Sequence, residues 1–293
     1  VRQIQRDAAG VYTVQSPESS VRCRYIINAA GLYGDEIDRL LGYNRFTVTP
    51  RRGELIVFDK LARRLVNHIL LPVPTSITKG VLISPTVFGN ILLGPTAEDL
   101  PDKTDPATSA AGLHMLLDKG KAIMTPLLDE EVTAVYAGLR PATEHKDYQI
   151  FVHPAERYVC VGGIRSTGVS ASLGIAEYVV ELLATAQLTL MPKAAFKPVR
   201  MPNIGEASLR PYQSAEKITA NPDYGRIVCF CERVTAGEIV DAAHSVIPAC
   251  TLDGLRRRTR VLQGRCQGFN CQAAVTTLLA HESGRSVGAL LNL

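Results

Sequence analysis

This chain carries Cys229-Phe230-Cys231 and, after a further 34 residues, Cys266-Gln267-Gly268-Phe269-Asn270-Cys271. A 2Fe–2S cluster is held by four thiolates, two at each iron. The C-x-C pair is tighter than the C-x2–4-C spacing of structural zinc sites, and the glycines beside the second pair let backbone N–H groups approach sulfide. The spacing therefore favours an iron–sulfur cluster, with zinc as the alternative. The expected ligands are Cys229, Cys231, Cys266 and Cys271.

Length and composition indicate an ordinary globular protein. A chain of 293 residues suggests about two domains, and its hydrophobic content of 46% is enough for a packed core. The net charge of +4 is mild and gives no argument for nucleic acid as a partner. No apolar run approaches the length of a bilayer span, and no signal peptide opens the chain. Four of the seven cysteines form one metal-like set, so we expect a reducing, cytoplasmic compartment and no disulfide.

The basic excess lies between the two cysteine pairs and consists of Arg256, Arg257, Arg258, Arg260 and Arg265. Three interpretations stay open for it. The arginines form a solvated basic face, they offset the negative charge that four thiolates and two sulfides leave on a cluster, or they dock an acidic redox partner.

The sequence around the cysteines resembles the 2Fe–2S domain of the bacterioferritin-associated ferredoxin type. The matching stretches are Cys229–Thr235, Leu252–Arg260 and Gly264–Gly268. This module is often fused to the C-terminus of flavin-dependent dehydrogenases, so the resemblance implies that the rest of the chain feeds electrons to a cluster held by residues 225–293. Within this domain, Thr235 and Glu238 predict a capping box that opens a helix through Ala243, and a second helix should follow Cys271.

An apolar strand runs into Ala29-Ala30-Gly31 and then into a helix, and this turn is either tightly packed or open to a ligand. Small residues at a strand-to-helix turn let a ligand approach the backbone. The stretch Tyr25–Asp35 closely resembles the second flavin-contacting strand of the D-amino-acid-oxidase-like superfamily, in which the Ala-Ala-Gly turn lies beside FAD. The resemblance therefore implies that Ala29, Ala30 and Gly31 contact the flavin.

A second flavin signal is Val161–Ser172, where a strand ends in glycines and a polar turn opens a helix that runs to about Ala186. The N-terminus of a helix favours negative charge, and a reduced flavin develops negative charge on its ring. In the superfamily this segment contacts the isoalloxazine ring. The resemblance carries that role to Gly162, Gly163, Ile164, Arg165, Thr167 and Gly168.

The remaining pattern, with the resemblance, predicts an α+β fold. It comprises part of an FAD-binding domain, an antiparallel substrate-domain sheet with one helix on it, and a small helical 2Fe–2S-binding domain. Residues 46–100 read as strands, with a hairpin around a two-residue turn at Gly89-Asn90; a helix follows over 104–124, and strands resume at 132–139, 149–153 and 158–162. Residues 1–28 suggest an antiparallel meander. The predicted domains are 1–189 for the flavin-dependent oxidoreductase, 190–224 for an extended proline-rich linker, and 225–293 for the cluster. Residues 1–187 resemble the branch of L-2-hydroxyglutarate oxidases and fused glycerol-3-phosphate dehydrogenase-like proteins.

Arg140, in Gly138-Leu139-Arg140-Pro141, stands where this family places a substrate-binding arginine, because a guanidinium binds carboxylate or phosphate bidentately. The alternative is a surface ion pair with Glu144 or Asp147. Lys79 and Arg165 are weaker candidates for the same pocket.

The catalytic base is harder to place. The hydroxyglutarate oxidase branch has a histidine at the position of Leu82, so His68 is the substitute candidate, although a lone histidine is more often structural. The turn Gly162–Arg165 also departs from the Gly-Gly-Lys turn of classical glycerol-3-phosphate dehydrogenases, and both departures concern substrate identity.

These features predict a flavin-dependent dehydrogenase that moves a hydride from a small anionic hydroxy compound to FAD and releases electrons singly through a 2Fe–2S cluster. Glycerol 3-phosphate ranks first as substrate, a 2-hydroxy acid such as L-2-hydroxyglutarate second, and an amine or imino acid third. The expected acceptor is a redox partner or a quinone-linked protein, with peripheral membrane association through a partner subunit. The chain contains no G-x-G-x-x-G after a strand, the motif that holds the FAD pyrophosphate, and it begins with Val1 in a strand-like stretch. We therefore expect the C-terminal part of a longer protein, inactive alone, and the rival function is a non-catalytic electron-transfer or assembly module.

Overall fold

The computed structural model describes residues 1–73, 80–198 and 209–291, which form a mixed fold of helices and sheets. The strands are β1 (Gln3–Arg6), β2 (Tyr12–Gln15), β3 (Ser20–Cys23), β4 (Ile26–Asn28), β5 (Val48–Phe58), β6 (Leu82–Pro85), β7 (Ile91–Gly94), β8 (Glu98–Asp99), β9 (Val132–Thr143), β10 (Gln149–His153), β11 (Tyr158–Gly162), β12 (Ile227–Cys229) and β13 (Val234–Thr235). The α-helices are α1 (Gly34–Leu40), α2 (Ala110–Met124), α3 (Gly168–Thr185), α4 (Ala215–Ala220), α5 (Ala236–Ala243), α6 (Leu252–Thr259), α7 (Gln272–Ser283) and α8 (Val287–Leu291). The predicted α+β class is confirmed.

The chain divides into two compact units. The first contains Val1–Leu55, Pro95–Leu113 and Tyr136–Ala194, and the second contains Ile56–Gly94, His114–Val135 and Ala195–Leu293. Strands β5 and β9 and helix α2 each run from one unit into the other. The predicted domain limits of 1–189, 190–224 and 225–293 stay predictions.

The first unit holds two small sheets. Strands β1, β2 and β3 form the antiparallel meander that the sequence predicts. The other sheet has the order β10-β11-β4, with β4 parallel and β10 antiparallel to β11. Helix α3 packs on it, because Val179, Leu182 and Leu183 share a buried cluster with Val159 and Val161 of β11.

Helix α3 also corrects one sequence prediction. Within the described ranges, the segment Arg165–Thr185 is long and apolar enough to cross a membrane by length and composition, with a mean hydropathy of 1.2. The expectation that the chain has no such run is therefore wrong by this criterion. A single helix of this kind is weak evidence for a span. One of its faces covers a sheet, and 11% of the apolar window is buried.

Strand β5 is central to a second sheet. In the first unit its beginning pairs with β8, and in the second unit its end pairs with β7, which pairs with β6. These pairs are antiparallel, as predicted, and β9 also pairs with β5. The predicted two-residue turn is wrong: Thr86 N–H donates to Asn90 O and Gly89 N–H donates to Thr86 O, which leaves a three-residue loop, Val87–Gly89. Gly89 has φ +96°, as the last position of such a loop requires.

The region after residue 225 forms its own core within the second unit. Helices α5, α6 and α7 bury Ile239, Leu255 and Val275 completely. The predicted capping box is confirmed, because Glu238 N–H donates to Thr235 Oγ1 at 3.3 Å and Thr235 N–H donates to Glu238 Oε2 at 2.8 Å. The helix predicted after Cys271 is α7.

The extended linker predicted over 190–224 is wrong in its second part. Pro211–Gln213 and Pro222–Tyr224 are 3-10 turns on either side of α4. Arg210 donates to Glu238 Oε1 at 3.0 Å and Tyr224 Oη donates to Asp241 Oδ2 at 2.7 Å, so α5 holds this segment. Proline suits the first position of such turns, where no backbone N–H is needed. Residues 199–208 of the predicted linker lie outside the described residues.

Candidate flavin edge and four-cysteine site

The parallel pairing of β4 and β11 brings the two predicted flavin segments together. Ile26 lies opposite Tyr158 and Asn28 opposite Cys160, so both strands end at the same edge of the sheet. The turn Ala29–Gly31 follows β4, and Gly162–Gly168 ends β11 and opens α3. The carboxyl ends of parallel strands are where open α/β sheets bind ligands. A cleft of about 800 Å³ opens beside Ala30 in the same unit.

The glycines of these turns are required by space and backbone angle. A Cβ on Gly162 would lie 2.6 Å from Cζ of Phe46, which real side chains do not tolerate. Gly31 and Gly163 have φ of +57° and +66°, in the left-handed region that favours glycine. Nothing described lies within 4 Å of a Cβ added at Gly31, so this turn presents open backbone to a ligand.

The N-terminus of α3 supplies the electrostatic element that the sequence predicts. The helix has 18 residues, and its N-cap residue, Thr167, makes no side-chain cap hydrogen bond. The first N–H groups of a helix lack intrahelical partners and carry the positive end of its dipole. Ser166 and Thr167 are exposed, so these groups are accessible to an anionic portion of a ligand.

A buried polar network supports the edge, and sequence reasoning missed it. Asn28 Nδ2 donates to Gly34 O at 2.7 Å and to Tyr158 Oη at 3.1 Å, and Tyr158 Oη donates to Asp38 Oδ1 at 2.8 Å. Burial raises the pKa of Tyr158, which keeps the phenol protonated as a donor. Asn28 was visible in the sequence as a polar residue at the end of an apolar strand, whereas Asp38 lies among the charged residues of α1 and gave no such signal.

Arg165 lies in the predicted flavin segment, but its side chain is bound by the protein's own backbone. Its Nη2 donates to the backbone carbonyls of Thr143 and His145, at the end of β9. Its Nε is buried and has no hydrogen-bond partner among the described residues. Arg165 also has φ +57°, so the turn is held in a strained conformation.

Arg140 is held by backbone carbonyls rather than by an acidic residue. Its Nε donates to Arg51 O at 3.3 Å, and its Nη2 donates to Arg52 O at 3.1 Å and to Thr96 O at 2.5 Å. Burial lowers the pKa of this guanidinium. The structure records no salt bridge of Arg140 within the described ranges, so the ion pair with Glu144 or Asp147 is wrong. Arg140 thus offers a fixed, half-buried cation without a carboxylate partner.

Among the residues that the structure describes, the candidate base, His68, is not held in place by hydrogen bonds as Arg140 is. His68 belongs to the second unit, is exposed, and makes no hydrogen bond or ion pair with any residue in the described segments. Leu82, at the position where the related branch has histidine, begins β6. Lys79 lies outside the described residues. The role of His68 stays a prediction.

The four predicted cluster ligands come together as two thiol pairs in the second unit. The Cys229 thiol contacts that of Cys271, and the Cys231 thiol contacts that of Cys266. In the described part of the chain, no group of three or more His, Cys, Asp or Glu side chains has the arrangement for one metal ion. The two pairs adjoin, since Cys229 also acts electrostatically on Cys231, so the four thiols form one site that could supply two thiolates to each iron of a 2Fe–2S cluster.

Backbone N–H groups surround these sulfurs. Burial raises the pKa of Cys229 to about 11, while the N–H groups of Glu232 and Leu262 bond to its sulfur and act in the opposite direction. At Cys266 the N–H bonds to sulfur, chiefly the one from Asn270 N–H, outweigh the effect of burial, and the pKa of Cys266 lies below the ordinary value. Donors aimed at sulfur stabilise thiolate, the form that binds iron.

The loops around the cysteines are closely packed, and several of their residues have backbone angles in the left-handed region. A Cβ on Gly264 would lie 2.2 Å from Cβ of Cys231, so glycine is obligatory there. Three non-glycine residues in the cysteine loops have positive φ: Arg233, Leu262 and Gln267. Arg260 also has positive φ, but as the left-handed C-cap of α6. Such strain persists only where the surrounding structure fixes it, often at functional sites. The donor set and its N–H shell fit a 2Fe–2S cluster.

The arginines between the cysteine pairs mostly bind acidic side chains. Arg256 and Arg257 pair with Asp253 on their own helix, Arg260 pairs with Glu232, and Arg265 pairs with Glu131. Their charge is therefore largely offset by carboxylates, which disfavours the interpretation that they compensate a cluster directly.

Comparison with known proteins gives two family matches. The model of the FAD dependent oxidoreductases (DAO) matches residues 1–182, and that of the BFD-like 2Fe–2S binding domain matches residues 227–281. The first covers more than half of the chain, and the second contains all four cysteines. These matches confirm the predicted FAD and 2Fe–2S cofactor classes for the two regions.

Three of the proteins similar to this chain are glycerol-3-phosphate enzymes. The chain is 35% identical over 274 residues to the glycerol 3-phosphate dehydrogenase of Caloramator mitchellensis, covering 93% of this chain and 57% of that protein. It is 27% identical over 288 residues to one of the subunits of the anaerobic glycerol-3-phosphate dehydrogenase of Escherichia coli K12, covering 87% and 52%. The L-alpha-glycerophosphate oxidase of Mycoplasma pneumoniae, solved with FAD bound, matches with a TM-score of 0.60 at 31% identity, over 67% of this chain and 52% of that one. The chain spans about half the length of these relatives.

Proposed function

This chain belongs to the FAD-dependent oxidoreductase (DAO) family, and from that premise we propose that it is part of a glycerol-3-phosphate dehydrogenase that passes electrons to its own 2Fe–2S domain. The observation that carries the proposal is the extent of the similarity to the Caloramator mitchellensis enzyme. It covers 93% of the chain and so includes both the flavin edge and the four cysteines.

The residues present fit both cofactors. The turns Ala29–Gly31 and Gly162–Gly168 would hold the flavin ring at the edge of the β4–β11 sheet, and Cys229, Cys231, Cys266 and Cys271 would hold the cluster. When bound, FAD supplies a two-electron acceptor for the substrate C–H bond, and the cluster supplies a one-electron path onward. The N–H groups at the start of α3 favour negative charge at that edge.

Arg140 is the residue we assign to the substrate anion. Its Nε and Nη2 bind three backbone carbonyls, which fixes the plane of the guanidinium and leaves Nη1 for a ligand. A cation that is half-buried and lacks a carboxylate partner gains from a phosphate, because charge-assisted bonds are stronger away from bulk water. A carboxylate would satisfy the same group, so L-2-hydroxyglutarate is the competing substrate to test.

The test uses the full-length protein with FAD and cluster bound. We expect anaerobic addition of sn-glycerol 3-phosphate to bleach the flavin and then reduce the cluster, seen as a 2Fe–2S electron paramagnetic resonance signal. Arg140→Ala should raise KM roughly 30- to 150-fold, since one charge-assisted contact contributes about 2–3 kcal/mol.

Arg22→Ala is the matched control, because Arg22 is an exposed arginine of the same unit that pairs with Asp7. Faster bleaching by L-2-hydroxyglutarate or an imino acid would replace the proposed substrate. If no substrate reduced the flavin while dithionite still reduced the cluster, the non-catalytic electron-transfer function would stand instead.

A further inference from the structure

We propose that the cleft beside Cys231 is the docking site for an acidic electron-accepting protein. This inference rests on the proposed function, because it concerns the partner that takes electrons from the cluster. The cleft has a volume of about 410 Å³ and lies wholly within the second unit. Its wall includes Cys231 itself, together with Phe230, Lys60, Arg210, Arg233 and Arg265.

The cleft reaches a cluster ligand from the surface. Cys231 is only partly buried, whereas Cys229 and Cys271 are both 1% exposed. Phe230, between the two cysteines of the first pair, is 71% exposed, and Phe269, between those of the second pair, is 91% exposed. Large apolar side chains this exposed beside a redox centre provide the apolar contact that a docking surface needs.

The charge of the region favours an acidic partner. Residues 225–293 contain eight arginines and five acidic residues, so they hold +3 of the total charge of +4. Within the cleft, Lys60 pairs with Glu232, Arg210 with Glu238, and Arg265 with Glu131.

Arg233 differs from the other cleft cations. Its Nη1 donates to the phenol of Tyr212 at 3.2 Å, and the structure records no carboxylate partner for it among the described residues. It stands two residues after Cys231, at a left-handed backbone position with φ +53°. Arg233 is therefore the cation that a carboxylate of the partner would engage.

A small apolar acceptor suits this cleft less well. Six of its ten lining residues are charged, so a quinone ring would have to displace water from charged groups that it cannot bind. A protein surface that places a carboxylate at Arg233 and an apolar side chain over Phe230 matches both features. Electron transfer there moves one electron from the reduced cluster to the acceptor and transfers no atom.

The experiment needs no substrate, so its failure is separate from failure of the proposed function. The 293-residue chain with its cluster assembled is reduced with dithionite, desalted anaerobically, and mixed in stopped flow with oxidised cytochrome b5, an acidic protein, or cytochrome c, a basic one. We expect reduction of cytochrome b5 to slow steeply as ionic strength rises from about 0.01 M to about 1 M, because screening removes the attraction. Reduction of cytochrome c should not slow.

The variants locate the site. Arg233→Glu should slow reduction of cytochrome b5 about tenfold at low salt, and Phe230→Ala should weaken its binding. Arg257→Glu is the control with the same charge change, on an arginine that is 73% exposed and does not line the cleft. Iron content and the cluster spectrum show that each variant is intact, and Arg233→Gln replaces Arg233→Glu if the latter loses iron.

Three results would overturn the proposal. Equal slowing by Arg233→Glu and Arg257→Glu would mean that only overall charge matters. Preference for cytochrome c in every variant would mean that the cleft repels acidic partners. Saturable reduction of water-soluble ubiquinone-0 that Phe230→Ala abolishes, with cytochrome b5 unaffected, would assign the cleft to a quinone.

Discussion

The four-cysteine region and the flavin edge are built in two different ways. All four cysteines fall between residues 229 and 271, and short loops with positive φ bring them together. The flavin edge joins turns at Ala29–Gly31 and Gly162–Gly168, which meet only because β4 and β11 pair in parallel. The first site thus depends on local backbone geometry, and the second depends on a contact between distant strands. The two cofactors should therefore be lost separately when one of the sites is damaged.

The largest effect should come from a cluster ligand. Purified anaerobically, the chain should be red-brown, with iron and labile sulfide near two each per chain. Cys266→Ser should lose the colour and most of the iron, whereas Cys250→Ser should keep both, since Cys250 is an exposed thiol outside the four-cysteine set. Stoichiometric zinc without sulfide in iron-replete material would contradict the cluster assignment.

The flavin edge should bind FAD weakly in the 293-residue chain. The chain offers the ring contacts but contains no G-x-G-x-x-G for the pyrophosphate. Three missing charge-assisted bonds, each contributing about 1.5–3 kcal/mol, should lower the affinity by several orders of magnitude. Titration followed by flavin fluorescence measures this, with the full-length protein as the control. Tight stoichiometric binding would show that another part of the chain replaces the motif.

Two glycine substitutions should separate the sites. An added Cβ would lie 2.2 Å from Cβ of Cys231 in Gly264→Ala and 2.6 Å from Cζ of Phe46 in Gly162→Ala. Each should destabilise its own region by about 1–3 kcal/mol. Iron retention should fall only in Gly264→Ala, and FAD affinity of the full-length protein only in Gly162→Ala. Gly174→Ala is the control, because nothing lies within 4 Å of its Cβ. Loss of both cofactors in either variant would contradict the independence of the two sites.

The smallest effect should be a pH dependence of the first unit around Asp35. Burial alone would raise the pKa of Asp35, but Lys103, the N–H of Val48 and Arg39 together hold it below its ordinary value. A lowered folded-state pKa gives stability that is present above the unfolded pKa near 3.9 and is lost as pH falls through the folded value. Hydrogen exchange of β5 and α1 should therefore rise below about pH 4. Asp35→Asn should flatten this profile, and an unchanged profile would contradict the assignment.

Much of the cluster region could be predicted because its signals are local. The capping box at Thr235 and Glu238 and the helix after Cys271 follow from spacing within a few turns of chain. The sequence also identified the four cysteines, but the structure pairs each of them with a cysteine of the other segment. The prediction of an extended linker failed, because residue spacing carries little information about that segment. Prolines in 211–224 suggested an extended linker, but Arg210 and Tyr224 bind side chains of α5, and the segment is held in turns.

At Arg140 the sequence identified the residue but not its contacts. A guanidinium near Glu144 and Asp147 in sequence suggested an ion pair, yet β9 pairs with β5 and turns the side chain to the carbonyls of Arg51 and Arg52. The hydrogen-bond acceptors lie almost 90 residues away in sequence, and so no local pattern could indicate them.

The sequence alone determined the four cysteines and the glycine turns, because thiol spacing and the steric freedom of glycine are properties of short segments. The flavin followed from the resemblance of those turns to a known family. The tertiary structure decided what those segments can do together. It placed both glycine turns at one sheet edge, buried Asn28, Asp38 and Tyr158 as a network behind them, and opened a cleft to Cys231. These outcomes depend on strand pairing and on burial of polar groups against partners far away in sequence, and short segments do not reveal either of them.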